Sequence, residues 1–165
     1  MPHHEDPASI TIRSAVPADA VAIAHVHAAS WRETYGHVVD DPDTSPWFDA
    51  DRRVPMWREN LTGDVFTAVV AEDGSGIVGF AAVQPATDDG AVRPEELTML
   101  YTLARVHGSG AGQGLLDAVL GARPAQLWVA DDNARAIAFY RRNGFSADGA
   151  TSSFGPIERS LRLVR

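Results

Sequence analysis

The spacing of hydrophobic residues predicts two helices in the first third of the chain. The first runs from Pro17 to about Tyr35, because small and aromatic side chains fall on one face of a wheel with 3.6 residues per turn: Ala20, Ile23, Ala24, His27, Trp31 and Tyr35. The second covers Trp47 to Leu61, and Pro55 predicts a break or kink inside it because proline lacks the N–H that the helical ladder needs.

Two further helices are predicted in the second half. One begins in a glycine cluster and carries Leu115, Leu116, Val119 and Leu120. The other covers about Asn133 to Arg142, with Asp131 or Asp132 placed to cap its start. Gly144 follows its end, as a residue that tolerates positive φ.

Short alternating or apolar segments predict seven strands, which are Ser9–Arg13, Val65–Ala71, Ile77–Gln84, Glu95–Leu103, Gln126–Ala130, Phe145–Phe154 and Ile157–Leu163. Strands outnumber helices, and many neighbours are joined by short turns. We therefore expect an α+β fold with a mixed, mostly antiparallel sheet and helices on its faces.

Length and composition indicate one folded domain. The chain has 165 residues, of which 45% are hydrophobic, so it can form a sizeable core. We expect a disordered polar tail over residues 1–8 and a single domain over residues 9–165. No apolar run reaches the roughly 18 residues of a membrane span, and no secretory leader is visible. A cytoplasmic protein without a membrane partner is therefore expected.

Charge and missing residue types exclude several chemistries. The 14 basic and 22 acidic residues give a net charge of −8, which disfavours nucleic acid as a partner because binding to a polyanion depends on positive charge. All basic residues are arginine, so a lysine Schiff base and a Walker loop are excluded. Cysteine is absent, which excludes thiol nucleophiles and cysteine-bound metals.

The glycine cluster Gly108–Gly114 lies between a predicted strand and a predicted helix. Glycines there allow a tight turn and let a ligand approach backbone N–H groups that have no helical partner. With the positive end of the helix dipole, those groups form an anion site that suits phosphate. The alternative is a flexible loop that happens to be rich in glycine.

Two motifs in order resemble the GNAT superfamily of acetyl-coenzyme-A-dependent N-acetyltransferases. The phosphate motif of that family, Gln/Arg-x-x-Gly-x-Gly/Ala, corresponds to His107–Gly112, and its Asn-x-x-Ala-x-x-Phe-Tyr…Gly-Phe pattern is matched from Asn133 to Phe145. His107 replaces the usual Gln or Arg, and Ser109 stands where a basic residue is frequent. Phosphate contacts are therefore expected to depend more on backbone amides than on side-chain charge.

The resemblance implies a cleft for acetyl-CoA, the cosubstrate, where the strands Glu96–Leu103 and Gln126–Ala130 splay apart. Backbone amides at the helix start would hold the pyrophosphate, and the splayed strand and the last helix would contact the pantetheine arm. The implied cofactor-binding residues are Leu100, Tyr101, Thr102, His107, Gly108, Ser109, Gly110, Ala111, Gly112, Gln113, Asn133, Ala136 and Tyr140. Phe139 points to another side and is expected in the core.

The resemblance also implies catalytic roles. The Leu100 N–H would stabilise the oxyanion. Glu96 is the candidate base that removes the amine proton, directly or through water; the alternative is an exposed carboxylate at a strand end. Tyr140 is the candidate acid for the leaving thiolate, or else only packs against the cofactor. His37 is a second-choice base. No metal site is expected, since His25 and His27 point about 200° apart on a helix.

The acceptor is expected to be a primary amine of a small molecule or peptide. Family members shape its pocket near Trp31, Tyr35 and Trp47, where Asp40, Asp41 and Asp43 would favour a cation; the alternative is an acidic loop that only aids solubility. Direct transfer is the leading function. A non-catalytic acyl-CoA-binding sensor is the alternative, a kinase fits less well without lysine, and the protein is either a monomer or a homodimer.

Overall fold

The computed structural model describes residues 9–165, and the tail expected over residues 1–8 lies outside them. The described part contains seven strands and four α-helices in the order β1, α1, α2, β2, β3, β4, α3, β5, α4, β6, β7. The strands are β1 Thr11–Ser14, β2 Thr67–Asp73, β3 Gly76–Pro85, β4 Glu95–Thr102, β5 Gln126–Ala130, β6 Ser146–Phe154 and β7 Ile157–Val164. The helices are α1 Ala20–Tyr35, α2 Ala50–Thr62, α3 Ala111–Val119 and α4 Ala134–Arg142.

The strands form one sheet in the order β1-β2-β3-β4-β5-β7-β6. All neighbours are antiparallel except β4 and β5, which are parallel and are paired only at Glu96 and Gln126. A bulge at Thr98 interrupts the pairing of β4 with β3. The mixed, mostly antiparallel sheet is the one expected from the sequence, and its two central strands separate after a single residue pair.

Helices cover both faces of the sheet, as the sequence predicts. On one face, α1 and α2 pack on β2 and β3 around a core of Ile23, Trp57, Val70 and Phe80. On the other face, α3 and α4 pack around a second core that includes Leu115, Leu116, Leu127 and Phe145. The predicted apolar face of α1 is buried along its whole length. No helix in residues 9–165 has both the length and the apolar character needed to cross a bilayer.

The predicted helix over Trp47–Leu61 is wrong at its start, and the helix is not broken at Pro55. The structure has a 3₁₀ turn over Pro46–Phe48, and α2 begins only after Asp49. Asp49 has an extended backbone and caps the helix, because its side-chain oxygen accepts the N–H of Asp51. The helix continues through Pro55. Pro55 and Asp51 are both exposed, so water can reach the Asp51 carbonyl that loses its helical partner.

The predicted cap of α4 is also corrected. Asn133, and not Asp131 or Asp132, caps this helix, because its side-chain oxygen accepts the N–H of Ala136 at 3.2 Å. Asp131 instead lies 3.9 Å from Arg159, and Asp132 lies 3.7 Å from His37. The exit from the helix is confirmed, since Gly144 has a φ of +86°.

Candidate active site

A cleft of about 510 Å³ opens where β4 and β5 separate. Its walls come from β4, from the turn that leads into α3, and from α4. Nearly all the residues expected to bind the cofactor lie in these walls, namely Leu100, Tyr101, Thr102, His107, Gly108, Gly110, Ala111, Gly112, Gln113, Asn133, Ala136 and Tyr140. Ser109 is the exception, since it does not line the cleft.

The edge of β4 that faces the cleft carries free backbone groups. The N–H of Leu103 donates to the carbonyl of Val78 in β3 at 2.9 Å, so the backbone of Leu103 faces β3. Because the direction of these groups alternates along a strand, the N–H and C=O of Thr102 and Leu100 face the opposite side. There β5 is no longer paired with β4. These groups can therefore bond to an extended ligand lying between the strands.

The turn before α3 presents four unpaired amides. Gly108 and Gly110 have φ values of +81° and +88°, which only glycine adopts without strain. Within residues 9–165, the N–H groups of Gly108, Gly110, Gly112 and Gln113 have no intramolecular acceptor, and all four residues line the cleft. Together with the N-terminus of α3, these unpaired donors have the chemical character that suits an anion.

The side chain of Ser109 forms a hydrogen bond within the turn. Its hydroxyl oxygen accepts the N–H of Ala111 at 3.2 Å, so this amide is already used, and Ser109 is absent from the cleft wall. His107 does line the cleft, and partial burial, together with the neighbouring positive charge of Arg135, lowers its pKa. His107 is therefore expected to be neutral at pH 7, and the unpaired N–H donors identified at this turn are backbone groups.

Helix α4 forms the opposite wall of the cleft. Asn133, Ala136 and Tyr140 share the cleft-facing side, as their spacing predicts. Phe139 does not lie only in the core: it packs against the α3 side of the sheet and also lines the cleft. A helix this close to an open cleft exposes part of any bulky side chain on its inner face.

A pair of amide side chains holds this wall to the glycine turn. Gln113 Nε2 donates to Asn143 Oδ1 at 2.9 Å, and Asn143 Nδ2 donates back to Gln113 Oε1 at 3.1 Å. Asn143 also donates to the carbonyl of Phe139 at 2.9 Å. The width of the cleft between α3 and α4 is thus fixed by hydrogen bonds whose two partners are neutral.

Tyr140 is buried, with 7% of its surface exposed, and its ring packs on Phe139 and Phe145. Burial raises the pKa of the Tyr140 hydroxyl above its usual range, with a smaller contribution from Tyr35. The hydroxyl therefore stays protonated at neutral pH. It can donate a proton into the cleft.

Glu96 lies where β4 and β5 are still joined, beyond the residues that line the cleft. Its Oε1 accepts from Gln126 Nε2 at 3.0 Å, and Gln126, which is 0% exposed, in turn accepts the N–H of Val92. Glu95 faces the other side and pairs with Arg123 at 2.7 Å. Alternation along the strand places Glu96 on the α1 side of the sheet, as a carboxylate held in a fixed position.

Aromatic side chains form a layer on the α1 side of the cleft. Trp31, Tyr35 and Trp47 were expected here; Trp31 contacts Tyr35 at 4.9 Å between ring centroids and Trp47 at 5.8 Å, and only Tyr35 reaches the cleft wall. Phe154, the last residue of β6, packs on Trp47. The layer joins the segment between α1 and α2 to the β6–β7 hairpin.

The acidic segment over residues 40–49 is partly engaged within the protein. Asp43 pairs with Arg32, Asp41 accepts the N–H of Asp43, and Asp49 caps α2. Only part of its charge is free to act on a ligand. Within residues 9–165, no three His, Asp or Glu side chains are gathered closely enough to hold a metal ion.

Comparisons with known proteins agree with this geometry. A family model described as an acetyltransferase (GNAT) domain matches residues 64–147, about half of the chain. The uncharacterized N-acetyltransferase Rv2669 of Mycobacterium tuberculosis is 31% identical over 137 residues, which cover 79% of this chain and 85% of that protein. The chain belongs to the GNAT family of acetyltransferases. The probable N-acetyltransferase Rv2775 of the same organism is 27% identical over 160 residues, covering 92% of this chain and 88% of that protein.

Solved structures share the GNAT fold. The PaiA N-acetyltransferase of Thermoplasma acidophilum, crystallised in complex with coenzyme A, aligns with a TM-score of 0.66 at 18% identity, covering 93% of this chain and 98% of that chain. A GCN5-related N-acetyltransferase from Rhodopseudomonas palustris aligns with a TM-score of 0.70 at 19% identity over 98% of both chains. At this level of identity the similarity shows the fold alone.

Sequence reasoning missed several residues of this GNAT cleft. Arg135 and Arg142, which both belong to α4, line it. Their spacing of seven residues, which is two helical turns, was a signal that could have placed them on one face. Phe139 and Trp128 also line the cleft. For Trp128 no local signal exists, because its place depends on the separation of β4 and β5.

Proposed function

We propose that this GNAT acetyltransferase moves the acetyl group of acetyl-CoA directly to a primary amine of a small molecule or peptide. The observation that carries the proposal is the set of four unpaired amides on residues that line the cleft, Gly108, Gly110, Gly112 and Gln113, which suits the pyrophosphate of coenzyme A. The presence of coenzyme A in the PaiA complex, which has the same fold, supports this choice.

The free edge of β4 suits the rest of the cosubstrate. The backbone groups of Thr102 and Leu100 are candidates to bond to the amides of the pantetheine arm and to the acetyl carbonyl. The N–H of Leu100 is the proposed donor to the oxygen that becomes negative as the carbonyl is attacked. Ala136 and Asn133 are proposed to contact the arm from α4, since both line the opposite wall.

The reaction forms a C–N bond and breaks a C–S bond. The free amine nitrogen attacks the thioester carbon, and the thiolate leaves as the tetrahedral intermediate collapses. Alkylammonium groups have a pKa of about 10, so a base must remove a proton at neutral pH. Glu96 is proposed to accept it through water, because its carboxylate lies outside the cleft wall. Tyr140 is proposed to protonate the thiolate and to regain a proton from the attacking nitrogen, which loses its second proton to become a neutral amide. Direct transfer fits a chain without cysteine.

The acceptor is proposed to enter from the α1 side, along Tyr35 and the layer formed by Trp31 and Trp47. This layer borders the cleft near Tyr101, which belongs to both the cleft wall and the aromatic cluster. A flat, apolar surface of this kind orients the carbon skeleton of an amine next to the thioester.

Release of free coenzyme A thiol from acetyl-CoA in the presence of an amine panel tests the proposal. The panel contains amino acids, polyamines, peptides with free N-termini and amino sugars. We expect thiol release that depends on the amine, with a stoichiometric acetylated product by mass spectrometry. Tight binding of acetyl-CoA without transfer to any amine would favour the alternative of an acyl-CoA-binding sensor.

A further inference from the structure

Arg53 is a half-buried guanidinium without a counter-ion. It projects from α2 onto the aromatic layer, with Cζ 5.0 Å from the ring centroid of Trp31, and Nη2 donates to the carbonyl of Trp47 at 2.6 Å. No carboxylate of residues 9–165 forms an ion pair with it. A charge withdrawn from water is costly unless it is paired, so this arrangement needs an explanation.

Other arginines show how this chain satisfies a guanidinium. Seven of those in the described part of the chain pair with Asp or Glu: Arg13, Arg32, Arg52, Arg105, Arg123, Arg159 and Arg162. Arg165 has no such partner, but its three nitrogens donate to the carbonyls of Gly121, Arg123 and Asn143. Arg53 has one carbonyl, and burial lowers its pKa.

The histidine beside Arg53 does not supply an acceptor. His27 Nδ1 accepts from Trp57 Nε1 at 3.1 Å, and burial lowers the pKa of His27 to about 3, so the ring is neutral. Its single hydrogen is then on Nε2, which lies 3.2 Å from Arg53 Nη1. Two donors face each other there. Nη1 of Arg53 therefore lacks a bond from this contact.

Two unpartnered donors occur at the same place. Apart from the opposed donors His27 Nε2 and Arg53 Nη1, two buried side-chain nitrogens in residues 9–165 lack a hydrogen-bond partner, Trp31 Nε1 and Arg53 Nε. They belong to side chains in contact with each other. Trp31 also contacts Tyr35 and Tyr101, which line the cleft. The unsatisfied donors thus lie one side chain away from the cleft, on the side proposed for the acceptor.

We propose that Arg53 binds a carboxylate of the acceptor, so that the amine acetylated by this enzyme is an amino acid or another small molecule with both an amine and a carboxylate. This inference rests on the proposed function and names its substrate class. The planar guanidinium fork matches a carboxylate, and charge-assisted bonds of this kind are among the strongest in proteins. A carboxylate would also supply the counter-charge that the protein itself does not provide.

The test compares amines that differ only at the carboxylate. Glycine, β-alanine and γ-aminobutyrate are each assayed against their own amides, and kcat/KM for the amine is measured by thiol release. We expect the wild type to favour at least one acid over its amide by roughly tenfold or more, in line with hydrogen bonds to charged groups. Arg53→Met is expected to bring that ratio close to one, because kcat/KM should fall much more for the acid than for the amide.

Matched variants separate binding from structure. Arg58→Met removes an exposed arginine from the same helix and is expected to keep the wild-type ratio. Arg53→Lys keeps the charge without the fork and is expected to give an intermediate ratio, which also provides a readout if Arg53→Met does not fold. Calorimetric titration of the preferred acid into the enzyme saturated with coenzyme A is expected to show weaker binding in both Arg53 variants.

The outcomes are distinct. Amides acetylated as well as acids by the wild type, or acid and amide rates that fall equally in Arg53→Met, would overturn the role of Arg53 and leave the acetyltransferase proposal intact. The absence of thiol release with every amine, acid or amide, would refute the proposed function itself, and this inference with it.

Discussion

Replacing Tyr140 with phenylalanine isolates one oxygen atom in the mechanism. The ring, which packs on Phe139 and Phe145, is kept, and only the hydroxyl is removed. Within residues 9–165 this hydroxyl forms no hydrogen bond that the change would break. The free energy of unfolding should therefore change by less than about 1 kcal/mol, because no packing or internal bond is lost.

The effect on turnover is expected to be large. A general acid contributes roughly 10²- to 10⁴-fold to a rate, which corresponds to about 3 to 5 kcal/mol of transition-state stabilisation at 1.36 kcal/mol per tenfold. Since burial raises the pKa of Tyr140, the hydroxyl carries its proton throughout the neutral range and is available to the thiolate. We expect kcat of Tyr140→Phe to fall by about two orders of magnitude or more.

The assay is steady-state thiol release with the preferred amine, combined with calorimetric titration of acetyl-CoA and thermal unfolding of the same preparation. An unchanged dissociation constant and melting temperature would show that the fold and the cofactor site are intact. If kcat of the variant equals that of the wild type, Tyr140 is not the acid. A parallel loss of acetyl-CoA binding would assign it to cofactor packing.

Two further predictions concern carboxylates. Hydrogen bonds from Arg13 hold the pKa of Asp19 below its usual range, so the stability from this pair is present above the usual pKa of an Asp and is lost as the pH falls through the lower, folded-state pKa. Asp19→Asn should lower the melting temperature at pH 7, and its difference from wild type should shrink below about pH 4 in a thermal-unfolding series. Glu96→Gln should lower kcat/KM for the amine at neutral pH and recover with rising pH, whereas Glu95→Gln should not; equal profiles would exclude Glu96 as the base.

Much of the fold follows from local periodicity. The pattern of α1 and the order of all elements are confirmed, because each depends on which residues alternate or repeat within one element. The predicted start of α2 is wrong because Asp49 has an extended backbone and caps the helix. The hydrophobic pattern does not indicate this cap. The helix is not broken at Pro55 because the Asp51 carbonyl, which loses its helical partner, lies on an exposed turn. Water can replace the missing hydrogen bond there.

The candidate site divides in the same way. The glycine turn could be predicted because its function depends on backbone groups, and the residues Gly108–Gln113 supply these within one segment. The unpaired guanidinium of Arg53 could not be predicted, because it depends on which acidic residues lie near α2 in the fold. The hydrogen-bonded amide side chains of Gln113 and Asn143 could not be predicted either, because these residues are 30 positions apart in the sequence.

Calorimetric titration of coenzyme A into the wild type, Gly110→Ala and Gly76→Ala tests directly whether the glycine turn before α3 binds coenzyme A. Both glycines have positive φ, but Gly110 is at the amide turn, whereas Gly76 is in the β2–β3 hairpin and does not line the cleft. A side chain in this left-handed region costs about 1–2 kcal/mol, so the free turn of Gly110→Ala is expected to relax to another conformation that must be reversed for coenzyme A to bind. We expect one coenzyme A to bind per chain in the wild type and in Gly76→Ala. In Gly110→Ala we expect binding to be at least about tenfold weaker. No heat of binding in the wild type, or equal affinity in Gly110→Ala, would contradict this role of the turn.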